Sequence, residues 1–174
     1  MIELRTTRLL LRAPRPEDAP CYALGVGDYD VARWLTPMPW PYSLAMARDW
    51  LFQAQSQRPG KAVFIVEKLG QGLVGGISLL DELGFWIARS HWGRGYAGEA
   101  AEALLRWHFA GSGDALAASA QHDNHASLRV QQRLGFVEAG RERRFSQALQ
   151  HNVDHVLTRL TQEHWLAREQ RQCR

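Results

Sequence analysis

Cysteine is nearly absent: Cys21 and Cys173 are the only two in 174 residues, too few for a disulfide framework or a four-thiolate metal site. Long apolar runs are missing as well. None approaches the roughly 18 residues of a membrane-spanning helix, and Leu73 to Leu80, among the longest, contains two glycines. The N-terminus, Met1-Ile2-Glu3-Leu4-Arg5, is charged at once and lacks the apolar centre of a secretory leader. These absences predict a cytoplasmic protein with no membrane partner. A large charge of one sign is lacking too. The 21 Lys and Arg against 18 Asp and Glu leave a formal net charge of +3, too mild for nucleic-acid binding unless the basic residues cluster. They do so only at Arg141-Glu142-Arg143-Arg144 and in the tail to Arg174, with acids interspersed, which reads as solvated surface. No direct nucleic-acid partner is expected. The pairs His122/His125 and His151/His155 have no third ligand beside them, so no metal is expected. Cys21 lacks a neighbouring His or Lys and reads as a structural thiol.

What is present suits a globular chain, with 45% hydrophobic and 22% charged residues. The length predicts one domain over residues 1–174, with 161–174 as a C-terminal tail. Residues 3–12, rich in Leu and Thr and stopped by Pro14, read as a first strand. Pro16-Glu17-Asp18 opens a short helix to about Gly25, and Asp28 caps a second from Tyr29 to Leu35. Three prolines in the five residues 37–41 keep the next segment out of helix and central strand. Ser43 then caps a helix whose apolar residues Leu44, Ala47, Trp50, Leu51 and Ala54 recur at helical spacing. Ala62 to Val66, Leu73 to Leu80 and Leu83 to Ala88 read as strands. A helix from Tyr96 to Phe109, ending at Gly111, precedes a weaker strand from Ala115 to Ala120. Ser127 to Leu134 is a helix stopped by Gly135, Phe136 to Ala139 and Val153 to Leu160 are strands, and Gln162 to Gln172 is a tail helix. No internal repeat or low-complexity linker interrupts this order. It describes an α+β fold on one mixed sheet, not a regularly alternating doubly wound one.

The most informative stretch runs from Leu83 to Ala100, where a strand enters a turn holding Gly93 and Gly95 and a helix begins directly afterwards. Glycine lets backbone N–H groups approach an anion with no Cβ in the way. The helix N-terminus adds unpaired N–H groups and partial positive charge, which makes a diphosphate seat. Arg94 adds a cation. There is no Gly-Lys-Ser/Thr, and the spacing is not that of a dinucleotide-binding fingerprint. A second segment, Asn124-His125-Ala126-Ser127 through Leu134-Gly135-Phe136, is a capped helix ended by glycine.

Together the two segments resemble the GNAT (Gcn5-related) N-acetyltransferases. The loop resembles that family's Q/R-x-x-G-x-G/A element, and Asn124 to Phe136 its N-x-x-S…L-G-F element. Thr7-Arg8-Leu9-Leu10-Leu11-Arg12 and Trp92-Gly93-Arg94-Gly95-Tyr96-Ala97 resemble the RimJ/RimL-type branch, which acetylates protein N-terminal amines and small amines. Two positions depart from the pattern: Ser90 stands where Gln or Arg is expected, and Gly98 where a hydroxyl residue is common. Neither touches a cradle made of backbone N–H groups. The resemblance implies a mostly antiparallel central sheet of about seven strands with helices on both faces. It implies acetyl-coenzyme A as cosubstrate, no metal, and an amine-bearing acceptor that is a peptide N-terminus or a small molecule. The pantetheine arm would pair along Trp86-Ile87-Ala88 and the diphosphate would sit on Gly93, Arg94, Gly95, Tyr96, Ala97 and Gly98. Asn124 would bond the pantetheine amides, or serve as helix cap, or both. Ser127 would donate to the departing thiolate, or bond only its own helix. The tail helix could pack on a second subunit, so monomer and homodimer stay open.

The implied chemistry is attack of a neutral amine on the thioester carbonyl. An α-amine has a pKa near 7.7–8.0, so only modest base assistance is needed. The oxyanion would be held by a backbone N–H near Ile87 or Ala88. Glu82 is the first candidate base, since strand alternation puts Glu82, Gly84 and Trp86 on one face; Asp81 and Glu67 follow. Loss of Glu82 is expected to cut turnover mainly at low pH. Trp34, Trp40, Tyr42, Trp86 and Trp92 are candidates to line an acceptor groove with the Pro37–Pro41 loop as its rim. The alternative in another class is a non-catalytic acyl-CoA-binding module that keeps the cradle and has lost acceptor chemistry.

Overall fold

The computed structural model describes residues 2–55, 61–111 and 113–172; Cys173 lies outside them. The N-terminal stretch that reads as one strand folds back on itself. β1 (Leu4–Arg5) and β2 (Leu9–Arg12) pair antiparallel, with Leu4 opposite Leu11. Thr6 closes the turn: its N–H donates to the Leu9 carbonyl at 3.0 Å, and its hydroxyl oxygen accepts from the Leu9 N–H at 2.9 Å. That split accounts for eight strands where the sequence predicts about seven.

β3 (Ala62–Lys68), β4 (Gly72–Leu79) and β5 (Leu83–Ile87) continue the antiparallel meander. β6 (Leu116–Gln121) is parallel to β5, and β8 (His151–Leu160) and β7 (Val137–Ser146) follow it, giving the order β1-β2-β3-β4-β5-β6-β8-β7. β7 runs for ten residues, well beyond the predicted Ala139, because it forms a long hairpin with β8. β5 and β6 share one register pair, Leu83 opposite Ala118, and then part.

Strand alternation sends side chains to two cores on opposite faces of the sheet. Phe64 and Val66 join the core under α4 (Tyr96–Gly111), which contributes Leu104 and Leu105. Ile65 between them joins Trp86 and the helices α1 (Ala19–Gly27), α2 (Tyr29–Ala32) and α3 (Leu44–Ala54). α5 (His125–Arg133) and α6 (Gln162–Gln172) complete the α4 face, where Trp165 of α6 is buried. The fold is thus an α+β sandwich with helices on both faces. α2 is shorter than its predicted span to Leu35. Single-turn bonds, Trp34 N–H to the Val31 carbonyl at 3.1 Å and Leu35 N–H to that of Ala32 at 2.9 Å, lead instead into the proline segment. No helix among the described residues is long and apolar enough to cross a membrane.

Arg12 ties the start of the sheet to α1. Its guanidinium donates twice to the Asp18 carboxylate, at 2.7 and 2.8 Å, and once to Glu67 at 2.7 Å, and these bonds raise its pKa despite burial. Trp86 is 8% exposed and stands edge-on to Tyr22 with ring centroids 5.1 Å apart. Glycines make room for it. A Cβ at Gly25 would lie 2.7 Å from its ring, one at Gly76 2.7 Å from its Nε1, and one at Gly75 2.3 Å from its carbonyl oxygen. At Gly84 the nearest atom is Ser78 Oγ at 3.5 Å, an ordinary contact. Gly75→Ala is therefore expected to lower the urea midpoint by the equivalent of about 1–3 kcal/mol or more. Gly84→Ala should stay within about 0.5 kcal/mol of the parent; equal shifts for the two would contradict this packing.

Candidate active site

The turn after β5 takes the shape its glycines permit, with φ of 72° at Gly93 and 79° at Gly95. α4 starts at Tyr96, and the first intrahelical donor is the Glu99 N–H, bonded to the Gly95 carbonyl at 3.1 Å. Among the described residues, no backbone N–H from Gly93 to Gly98 has a hydrogen-bond partner. A Cβ at Gly93 or Gly98 would meet nothing within 4 Å. The result is a row of unsatisfied donors at a helix N-terminus, open on its outer side, and it fits a diphosphate.

A clamp the sequence did not reveal holds this loop. Glu99, in the first turn of α4, accepts from the Thr6 hydroxyl and from the Arg8 N–H at 3.1 Å and Nε at 2.7 Å. Arg8 also donates to the Arg94 carbonyl at 3.0 Å and lies over the Tyr96 ring, 4.8 Å from its centroid. Burial raises the Glu99 pKa, but these bonds outweigh it and hold the carboxyl below its usual range. Trp92 donates its indole N–H to the Ile87 carbonyl at 2.6 Å, fixing the loop to the end of β5.

Along β5, the Ala88 N–H is already bonded to the Val74 carbonyl at 2.8 Å, which removes it as an oxyanion donor. Alternation turns the Ile87 N–H the other way, toward the gap left where β6 departs. Asn124 caps α5, its side-chain oxygen accepting from the Ser127 N–H at 3.1 Å. The cap uses only the oxygen and leaves the Asn124 amide donors available. The Ser127 hydroxyl oxygen accepts from Gln131 Nε2 at 3.4 Å, so its own hydrogen is free to donate elsewhere. Gln131 is in turn fixed by the Ser119 carbonyl at 3.2 Å and the Thr158 hydroxyl at 2.7 Å.

Glu82, just before β5, meets residues that the sequence analysis passed over. Arg144 of β7 donates to both of its oxygens, at 2.7 and 3.2 Å, and the Ser119 hydroxyl donates at 2.6 Å. Burial pushes the Glu82 carboxyl up, yet the Arg144 and Ser119 bonds outweigh it and leave the pKa below the usual value. Arg144 thus departs from the solvated surface assigned to its run, since its side chain is only 30% exposed. His155 is 4% exposed, its Nε2 lies 2.6 Å from the Thr36 hydroxyl, and its Nδ1 has no partner among the described residues. Burial and then the Arg144 charge lower its pKa, so it is neutral at pH 7. The other two acid candidates lie elsewhere. Asp81 is 91% exposed and bound to Lys61, and Glu67 is committed to Arg12.

These groups wall one open cleft of about 1230 Å³ that passes through the gap between β5 and β6. Glu82, Trp86, Ile87, Gly93, Gly95, Tyr96, Ala97, Gly98, Asn124 and Ser127 all border it; Ala88 and Arg94 do not. Of the aromatic candidates, Trp34, Trp86 and Trp92 line it together with Pro37 and Met38. Trp40 instead packs on Tyr29 and bonds the Gly27 carbonyl, and Tyr42 packs toward Tyr22. No group of three or more His, Cys, Asp or Glu among the described residues is placed to hold a metal.

Comparison with known proteins agrees with this geometry. Residues 8–137 match the acetyltransferase (GNAT) domain family. The chain is 26% identical over 170 residues to N-acetyltransferase p20 of Bacillus licheniformis, covering 88% of this chain and 93% of that one. Among solved structures, a GNAT-family acetyltransferase from Bacillus anthracis superposes with a TM-score of 0.80 at 22% identity, over 93% of this chain and 99% of that one. RimL, a ribosomal L7/L12 α-N-protein acetyltransferase solved with coenzyme A, superposes with a TM-score of 0.76 at 18% identity, over 92% and 98%. A matched domain of this extent, spanning the cleft and its open glycine loop, places the chain in the GNAT family of N-acetyltransferases, to which it belongs.

Proposed function

We propose that the chain moves the acetyl group of acetyl-coenzyme A to a primary amine, a protein N-terminal α-amine or that of a small molecule, by direct attack in a ternary complex. We read residues 1–174 as one acetyltransferase unit. The observation that carries the proposal is a single cleft joining unsatisfied amides at Gly93 to Gly98 with the carboxylate of Glu82. RimL, with its coenzyme A and its protein α-amine acceptor, supports the same reading.

The cosubstrate supplies an activated acyl group as a thioester. The loop amides would hold its diphosphate, the edge of β5 at Ile87 would face its pantetheine arm, and the Asn124 amide would donate to that arm. The Ile87 N–H receives the developing oxyanion, a role that needs no side chain. Ser127 would pass its hydroxyl hydrogen to the leaving sulfur and take up in turn the proton that the attacking nitrogen loses, so that the amine's proton ends on the thiol. Glu82 stays ionised across neutral pH, and a carboxylate held below its usual pKa is a weak proton acceptor. Its main effect is to draw in and orient the amine by charge.

That reading alters the expected pH behaviour. A carboxyl whose pKa lies below its usual value is fully ionised throughout pH 6–9. Glu82→Gln should therefore lower kcat/KM by about tenfold or more, uniformly over that range and not mainly at its acid end. A loss confined to low pH, or no loss, would remove Glu82 from the reaction. For the cradle, Gly95→Ala forces a side chain onto φ of 79°, a strain of roughly 1–2 kcal/mol. It should weaken acetyl-coenzyme A binding about tenfold, read by titration calorimetry; the absence of binding heat in the unaltered protein would sink the proposal itself.

A further inference from the structure

Resting on the acetyl-transfer reading above, we infer that the acceptor carries a single ammonium group on an aromatic or branched apolar body, and is not a polycation. The cleft has two unlike ends. On the α4–α5 side are the Gly93–Gly98 loop, Asn124 and Ser127. On the side of α1 to α3 its wall is Trp34, Leu35, Met38 and Trp50, all half-buried. Leu35, Met38 and Trp50 are packed against the second core, so this wall is preformed and apolar. Burial of an apolar body there is favourable at about 25 cal/mol per Å², and flat aromatic walls select flat or compact bodies.

Charge decides the rest. The carboxylates that border the cleft among the described residues are Glu82 and Asp123, against the cations Arg129, Arg133 and Arg144. Glu82 already carries Arg144, and Asp123 sits at the start of α5, on the loop side. The acceptor end therefore offers one carboxylate, with the neutral imidazole of His155 and its unpartnered Nδ1 alongside. One amine nitrogen finds partners in that corner. A second or third ammonium, as in a polyamine or an aminoglycoside, would lie against tryptophan and leucine with no carboxylate to pair it, a poorer place than water for a strongly hydrated charge.

The chemistry has two sources, a free arylalkyl amine or a peptide whose first residue is aromatic, and the test separates them. Coenzyme A release is followed with phenethylamine, the tripeptide Phe-Ala-Ala, spermidine and kanamycin as acceptors. The better of the first two should exceed both polycations in kcat/KM by at least tenfold, and which of them leads identifies the source. Trp34→Leu should lower kcat/KM for the aromatic acceptor at least fivefold while the coenzyme Kd, by calorimetry, stays unchanged. Met38→Asp, which adds the missing second carboxylate, should shift the spermidine-to-phenethylamine ratio upward at least tenfold. Faster turnover of spermidine or kanamycin by the unaltered protein, or no change of ratio in Met38→Asp, overturns this inference and leaves acetyl transfer standing. Coenzyme binding with no acetylation of any of the four sinks both.

Discussion

The site depends on a parting of two strands. β5 and β6 run parallel, share one register pair at Leu83 and Ala118, and then diverge. Beyond that point β5 keeps its antiparallel partner β4 on one side and has an unpaired edge on the other. An unpaired strand edge inside a sheet leaves backbone donors and acceptors that need partners. Here the edge opens into the cleft, so backbone groups that the sheet leaves unpaired border it. The gap also joins the two faces of the sheet, so that residues of the α4–α5 layer and of the α1–α3 layer border one space.

The elements around the gap are fixed by interactions with little other purpose. Trp86 must sit against Gly25, Gly75 and Gly76, which anchors β5 to β4 and α1 at the place where its other edge is free. The Thr6, Arg8 and Glu99 clamp ties the Gly93–Gly98 loop to the N-terminal hairpin, so the loop keeps its amides exposed without internal bonds. Gln131 ties α5 to β6 and β8 and positions the Ser127 hydroxyl. Arg144 reaches from β7 across β8 and β6 to hold Glu82, and its charge helps keep the carboxylate ionised and His155 neutral. A carboxylate and an imidazole in one corner thus have separate protonation states, the imidazole's owed first to burial and both favoured by the same guanidinium.

Most of the architecture was legible because its signals are local. Helical spacing placed α3 and α4, the paired glycines placed the turn before α4, and Asn124 marked the start of α5, where it indeed caps. The first strand misled because its break comes from Thr6 side-chain bonds, which leave the apolar pattern of Leu9 to Leu11 unchanged. Arg144 was hidden in a run of four charged residues that carries no directional information, and only the β7–β8 pairing turns it inward. His155 was discounted with His151 as a strand pair. Its burial follows from Thr36 and Gln121 closing over it, contacts between residues more than thirty positions apart in every case.

By itself the sequence determined the order of elements, the loop whose glycines free its amides, and the helix cap beside it. Each of these depends on φ/ψ preference or on partners within a few residues, and such constraints are written along the chain. The tertiary structure alone decided that the sheet opens after Leu83, that Ile87 rather than Ala88 has the available N–H, and that Glu82 is paired with Arg144. Those facts concern which backbone and charged groups find partners across the fold, and satisfaction at long range is a property of the packed chain, not of any segment of it.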